Sequence, residues 1–264
     1  TETGLKIYAQ VAPRGVKVQA EMGGKNPVVV LEDCDMALAV ESTAQGAFGS
    51  TGQRCTATSR AIVIDKIADE FVEKIVERAK SFRLGPGDDP KTDIGPSVDE
   101  SQFKTVLKYI DIGREDGAEL LCGGKRAEGE GLEAGWFVEP TVFDRVTTEM
   151  RIAREEIFGP VLSVLRVKDY EEAMAVANDS EYGLSSSVFT NDVNSMYRFI
   201  EDIETGMTHV NSPTTGGEAH IPFGGIKNTG LGAREQGSTS LDFYTELKVV
   251  YIDHTGRKRE GNLY

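Results

Sequence analysis

Histidine and cysteine are scarce in this chain of 264 residues, three of each. His209, His220 and His254 are not spaced as a metal pair, and no metal is expected. Cys34, Cys55 and Cys122 are odd in number, widely spaced and without a Cys-x-x-Cys pair. That argues against a disulfide framework or zinc site and fits a reducing compartment. No apolar run approaches the roughly 20 residues that span a bilayer; Val28-Val29-Val30-Leu31 is strand-sized. Basic residues are few beside acidic ones, 29 against 43, for a formal charge of −14. This speaks against nucleic-acid partners, whose footprint is a basic patch, and against an anionic membrane surface. No signal-peptide pattern opens the sequence, and a cytoplasmic location is expected. What remains is an ordinary soluble composition, 39% hydrophobic and 27% charged, long enough for a large core in one or two domains.

Strand and helix signals alternate along the chain. Residues 3–12 predict a helix ending near Pro13 and Gly15, and Val16, Val18 and Ala20 predict a strand leading to Glu21. Pro27 to Leu31 is apolar throughout, as in a sheet covered on both faces. Asp35 to Gly49 predicts a buried helix of small residues, and Ser59 to Ile64 the next strand. Over residues 66–82, Ile67, Phe71, Ile75, Ala79 and Phe82 recur at helical spacing, and residues 98–116 repeat the pattern. Phe137-Val138, Val161 to Val167, Ser186 to Phe189 and Leu247 to Ile252 predict further strands. A helix starts at Asp169 with Glu172 at the reciprocal capping position. Another helix runs through Met196, Phe199 and Ile200. The alternation indicates an α/β fold, a layered sheet with flanking helices.

Four segments offer chemistry. Cys55 lies in the small-residue turn Gly52-Gln53-Arg54-Cys55-Thr56, where a thiolate attacks a carbonyl and backbone N–H groups hold an oxyanion. A helix N-terminus or a cation would lower its pKa. Cys55 alone is equally compatible with a buried structural thiol. Glu21 follows a strand and precedes two glycines, a setting for a general base, although an exposed loop glutamate reads the same way. Glu155-Glu156-Ile157-Phe158-Gly159-Pro160 joins carboxylates suited to ribose hydroxyls with an aromatic face suited to a flat ring. Taken alone, that segment is better accounted for by helix-end charge plus a core Phe. Pro222 to Lys227 lines a pocket mouth or makes an interdomain turn.

Together these segments resemble the aldehyde dehydrogenase superfamily over nearly the whole chain. The likeness runs in order through Glu-x-Gly-Gly-Lys-x-Pro at 21–27, Gly-Gln-x-Cys at 52–55, Asp93-Ile94-Gly95-Pro96 and Glu139-Pro140-Thr141. It continues through Glu156-Ile157-Phe158-Gly159-Pro160, Tyr182-Gly183-Leu184, Val210-Asn211 and Pro222-Phe223-Gly224-Gly225 with Lys227.

The resemblance implies a catalytic domain using NAD or NADP on a small aldehyde. Cys55 matches the nucleophile and Glu21 the base that activates water. Glu156, Phe158 and Gln102 match positions around the nicotinamide ribose. Phe223 and the loop Ser212 to His220, with Thr214 and Thr215, match the substrate-tunnel wall. Cys34 and Cys122 match no catalytic position. Residues 1–20 resemble the end of a dinucleotide-binding domain and 21–240 the catalytic domain. Residues 241–264 resemble an arm through which a homo-oligomer is expected to form. Thr1-Glu2-Thr3-Gly4 matches the end of the family's Gly-Ser-Thr-x-x-Gly segment. The rest of the dinucleotide domain and an oxyanion-hole asparagine are expected upstream, so this stretch alone is not expected to run the full reaction. The stretch Asn228 to Glu235 is one residue longer than the commonest family form, as in some semialdehyde dehydrogenases resembling the 2-oxoglutarate semialdehyde enzymes. Esterase activity alone, or a non-enzymatic structural role, are the competing readings.

Overall fold

A single sheet whose strands run mostly one way decides where the chemistry gathers. The computed structural model describes residues 1–252 together with His254 and Gly256. Helix α1 (Glu2–Val11) opens the chain, and β1 (Ala20–Glu21) leads into β2 (Asn26–Val30). Helix α2 (Met36–Phe48), β3 (Thr58–Ile64), α3 (Asp65–Ser81) and α4 (Glu100–Glu115) follow. Next come β4 (Glu119–Cys122), β5 (Thr141–Asp144), the one-turn α5 (Arg151–Arg154), β6 (Val161–Val167) and α6 (Tyr170–Asn178). Then β7 (Tyr182–Gly183), β8 (Ser185–Phe189), α7 (Val193–Asp202) and β9 (Met207–Val210). The short β10 (Ile226–Lys227) and β11 (Gly230–Leu231) and helix α8 (Thr239–Tyr244) complete the described elements.

The seven-stranded sheet has the order β4-β5-β6-β3-β2-β8-β9. Every neighbouring pair is parallel except β4 with β5. Both faces are covered. Val28 and Val30 pack with Ala44, Phe48, Phe71 and Ile75 from α2 and α3. Val29 and Leu31 point the other way, among Val106, Ile110, Ala173 and Phe199 from α4, α6 and α7. That is why β2 reads as an unbroken apolar run rather than an alternating one. Burying each such large side chain stabilises by roughly 1.5–3 kcal/mol.

Parallel strands start on one rim of the sheet and end on the other. The segments just before β2, β3, β6 and β8 therefore share one rim, although they are far apart in sequence. The helices that follow the strands begin on the opposite rim. Asp35, Asp169 and Asp192 cap α2, α6 and α7 there, each accepting from a backbone N–H three residues on.

The structure corrects several expectations. The strand over Val16 to Ala20 shrinks to Ala20–Glu21, paired antiparallel with Leu231 and Gly230. Val138 makes one isolated bridge with Arg126, and the true strand starts at Thr141. The edge strand β4 was not expected at all. It is four residues long, Glu119 is exposed, and only Cys122 is buried. Leu247 to Ile252 forms no strand. Those residues stand clear of the fold, with Leu247 and Tyr251 each 93% exposed. The expected arm at 241–264 lies partly outside the described residues.

Candidate active site

Segment 21–26 is the spine of the strand-start rim. Glu21 closes β1 against Gly230. Gly23 and Gly24 follow with no side chains, and contacts fill their place. A Cβ on Gly24 would sit 2.5 Å from the Cys55 carbonyl oxygen, and one on Gly23 would sit 2.6 Å from Glu156 Oε2. The Gly24 N–H donates to Glu156 Oε1 at 3.1 Å. Asn26 is buried, and its side-chain amide donates to the carbonyls of Cys55 and Ala57, both at 2.8 Å. Its Oδ1 accepts from the Ser185 N–H at 3.0 Å. One short segment thus ties the cysteine turn, the Glu156 loop and β8 together.

Cys55 is half-buried in the turn between a 3-10 segment, Gly49–Gly52, and β3. Ser50 and Thr51 in that segment adopt positive φ, 53° and 60°. Left-handed backbone is strained for a side-chain-bearing residue. Gln53 holds the turn from outside, donating to Pro96 O at 3.1 Å and accepting from the Val98 N–H at 2.8 Å. The thiol is pushed up rather than down. Burial is the main cause, and the Glu156 and Glu21 carboxylates add to it, while the backbone N–H groups of Thr56 and Cys55 pull down.

Glu21 is raised from its ordinary 4.5 to about 7. Burial comes first, then the Glu235 carboxylate, with Arg234 opposing. Its Oε1 lies 2.8 Å from where a Gly224 Cβ would be. Glycine at 224, with φ 141°, leaves that carboxylate its space. Phe223 next door exchanges backbone hydrogen bonds with Glu235 at 2.7 and 2.8 Å. Glu156 is also raised by burial, against the pull of the Gly24 N–H and Lys25.

Phe158 takes φ 56°, which turns its ring outward, 38% exposed. Gln102 sits in the first turn of α4, and its amide donates to Ile157 O at 3.0 Å and Phe158 O at 2.9 Å. It braces the loop from behind, with its N–H groups committed to backbone. A crevice of about 20 Å³, room for one water, lies between Gly24, Arg54, Glu156 and Phe158.

The substrate-wall residues divide. Thr215 and Phe223 line a hollow of about 730 Å³ with Met207, His209, Glu218 and Gln236. Thr214 is fully buried behind the cysteine turn. Its hydroxyl donates to Thr56 O and meets the Thr58 hydroxyl, both at 2.8 Å, and its carbonyl accepts from Ser185 Oγ at 2.7 Å. A second hollow of about 630 Å³, between Tyr8, Val16, Leu231 and Phe243, contains none of the predicted residues.

Sequence reasoning passed over four residues of this rim: Lys25, Asn26, Arg60 and Glu235. Arg60 carries the clearest signal, a guanidinium directly before the buried apolar run Ala61 to Ile64 of β3. It is 2% exposed and donates to the carbonyls of Lys25, Val176 and Ala177. A buried cation must be this fully bonded. Glu235 carries no local signal, because only the fold brings it to Glu21.

A two-face-covered parallel sheet, with a thiol and two pKa-raised carboxylates on one rim, defines an α/β protein with a built polar site at its strand starts. The chain belongs to the aldehyde dehydrogenase family, whose model matches residues 1–250. It is similar to an alpha-ketoglutarate semialdehyde dehydrogenase of Haloferax volcanii, 49% identical over 95% of this chain and 52% of the relative. An alpha-ketoglutaric semialdehyde dehydrogenase of Bacillus subtilis is 45% identical over 94% and 51%. The fold matches that of betaine aldehyde dehydrogenase from Staphylococcus aureus in complex with NAD+, TM-score 0.89 at 36% identity, covering 92% of this chain and 48% of that one. The chain spans about half the length of the relatives it matches.

Proposed function

We propose that this chain carries the reacting residues of an NAD- or NADP-dependent aldehyde dehydrogenase, with Cys55 as nucleophile and Glu21 as general base. The observation that carries the reading is the shared rim. A half-buried thiol lies in the field of a carboxylate whose proton leaves near neutrality. Glu21 in its ionised form accepts the thiol proton, and the sulfur bonds to the aldehyde carbon to give a thiohemiacetal. The Cys55 backbone N–H is the donor this chain offers to the developing oxyanion. NAD or NADP, when bound, supplies the oxidant by accepting a hydride, leaving a thioester on Cys55. Glu21 first gives the thiol proton up to solvent, and then takes a proton from water as the water oxygen attacks the thioester carbon. The C–S bond breaks, the leaving sulfur recovers a proton from Glu21, and the carboxylic acid departs.

The residues present fit a nicotinamide coenzyme. The missing side chain at Gly23 leaves a cradle against Glu156 Oε2, and that carboxylate is already oriented through Oε1. Glu156 would hold ribose hydroxyls, Phe158 would flank the ring, and Gln102 would set the loop. Thr215 and Phe223 would contact the aldehyde, with Thr214 supporting them. In this reading residues 21–240 form the catalytic domain, 1–20 belong with a dinucleotide-binding domain, and the protein works in the cytoplasm as a homo-oligomer. The exposed apolar segment 247–252 and the open edge of β9 are the surfaces for self-pairing.

The test is coenzyme reduction by the full-length protein across an aldehyde panel that includes 2-oxoglutarate semialdehyde and betaine aldehyde. The semialdehyde is expected to be preferred, following the two semialdehyde dehydrogenases named above. Ester hydrolysis without any coenzyme reduction would leave the thiol-esterase reading standing in its place.

A further inference from the structure

Lys25 is a buried ionisable group that this chemistry does not use. It is 2% exposed, between the two glycines of the rim and Asn26. Its ammonium donates to the Glu155 carbonyl at 2.7 Å. The next residue back, Gly24, donates to the Glu156 carboxylate. Two consecutive residues of one segment thus grip two consecutive residues of the other.

Residue 155 is held from its outer side as well. Arg151 donates to its carboxylate at 2.7 and 2.8 Å, and the Tyr109 hydroxyl does so at 2.6 Å. Lys25 itself is fixed in place, since its carbonyl accepts from Arg60 Nε at 3.1 Å and Arg60 is anchored to the last turn of α6. The arrangement is costly for the ammonium. Burial drives it down to about 7 with help from Arg60, while Glu156 and Glu155 hold it up. An apolar side chain of the same length would fill the space without that penalty. A cation kept here therefore needs a role beyond packing.

We propose that Lys25 is a positioning residue: it fixes the Glu155–Glu156 backbone so that the free oxygen of Glu156 faces the ribose of a nicotinamide nucleotide. The charge and the hydrogen bond act together. The bond sets where residue 155 lies, and the positive charge favours the ionised, acceptor form of Glu156 beside it. Lys25 touches no reacting atom and works through Glu156. This inference rests on the coenzyme reading above.

The test is a double-mutant cycle on the full-length protein, with Lys25→Met, Glu156→Gln and the pair. Dissociation constants for NAD+ and for nicotinamide mononucleotide are read by calorimetry. Each single variant is expected to weaken both ligands about tenfold or more, and the pair is expected to be no weaker than the worse single variant. Additive losses would mean that Lys25 supports the fold rather than Glu156, and unchanged affinity for Lys25→Met would equally overturn the proposal. Where Lys25→Met does not fold, the unaltered protein decides. With 15N-labelled lysine, the Lys25 Nζ resonance is expected to shift on titration with NAD+, and a stationary resonance contradicts the role. Failure of the unaltered protein to bind either nucleotide is a separate outcome, which removes the coenzyme reading and this inference together.

Discussion

The two rims of one sheet hold two half-buried cysteines, and they are built on opposite principles. On the strand-end rim, Cys34 sits beside a closed polar clamp. The Asp33 carboxylate accepts from the Thr190 hydroxyl and the Asn191 N–H, and its carbonyl accepts from the Asn191 amide. Asn211 completes the clamp by exchanging hydrogen bonds with the Thr190 backbone at 3.0 and 2.9 Å. Acidic side chains there are satisfied, as caps or in the clamp. Cys34 is pushed up to about 11, by burial and then by Asp33. On the strand-start rim the Glu21 and Glu156 carboxylates are pushed up, Glu21 to about 7. Left-handed backbone at Ser50, Thr51 and Phe158 lies near them, and Asn211 in the opposite clamp adopts it as well, so strain does not separate the two rims. Polar groups that are fully paired hold a fold together, while polar groups left short of partners are available to a ligand.

Substitutions can break this contrast, beginning with the most severe. Cys55→Ala is expected to abolish acylation by p-nitrophenyl acetate and coenzyme-linked oxidation alike, as measured by p-nitrophenol release and aldehyde turnover. Next, Glu21→Gln is expected to slow deacylation about 10²–10⁴-fold, the usual share of a general base. In the unaltered protein deacylation is expected to rise with pH through about 7, as Glu21 loses its proton, and the Gln variant should show no such limb. Stability carries the opposite sign. Because the folded value of Glu21 lies above 4.5, the folded state holds the extra proton between 4.5 and about 7, so stability falls as pH rises across that window. Urea midpoints for Glu21→Gln should be flatter there.

Two further changes sharpen the comparison through stability alone. Gly24→Ala drives a methyl into the Cys55 carbonyl and is expected to cost about 1–3 kcal/mol, read by urea unfolding. Asp33→Ala opens the clamp on the other rim and is expected to cost about 1–2 kcal/mol. The ester burst should survive unchanged in Asp33→Ala, because none of its partners reaches Cys55. A lost burst there would mean that the two rims are not independent.

Most of the secondary structure was legible in the sequence. Residues 66–82 and 98–116 show the apolar spacing of helices with one buried face, and α3 and α4 fall there. The unbroken apolar run at 27–31 announced a strand covered on both sides. The weak points were local. Strand β4 is four residues long with only Cys122 buried, so its pattern is faint. The paired segments β1 with β11 and β7 with β10 are two residues long, set by glycine contacts that have no periodicity. At 247–252 the run is apolar and β-prone apart from Lys248, yet no partner strand is present among the described residues.

The site was legible as a set of motifs and not as an arrangement. Glu21, Cys55, Glu156 and Phe158 each stand in a recognisable segment. That Gly24 would grip Glu156 follows from parallel strands starting on one rim, a contact across 132 residues that no local pattern encodes. Lys25 and Asn26 went unread because a polar residue at a strand start looks like loop until both neighbours are known to be buried.

The central claim is that Cys55, and not Cys34, is the nucleophile. One measurement addresses it directly: mass-spectrometric mapping of the acyl group left after a single turnover of p-nitrophenyl acetate. One acetyl per chain is expected, on the peptide containing Cys55, with Cys34 and Cys122 unmodified. An acetyl on Cys34, or none on Cys55 in folded protein, would contradict the account.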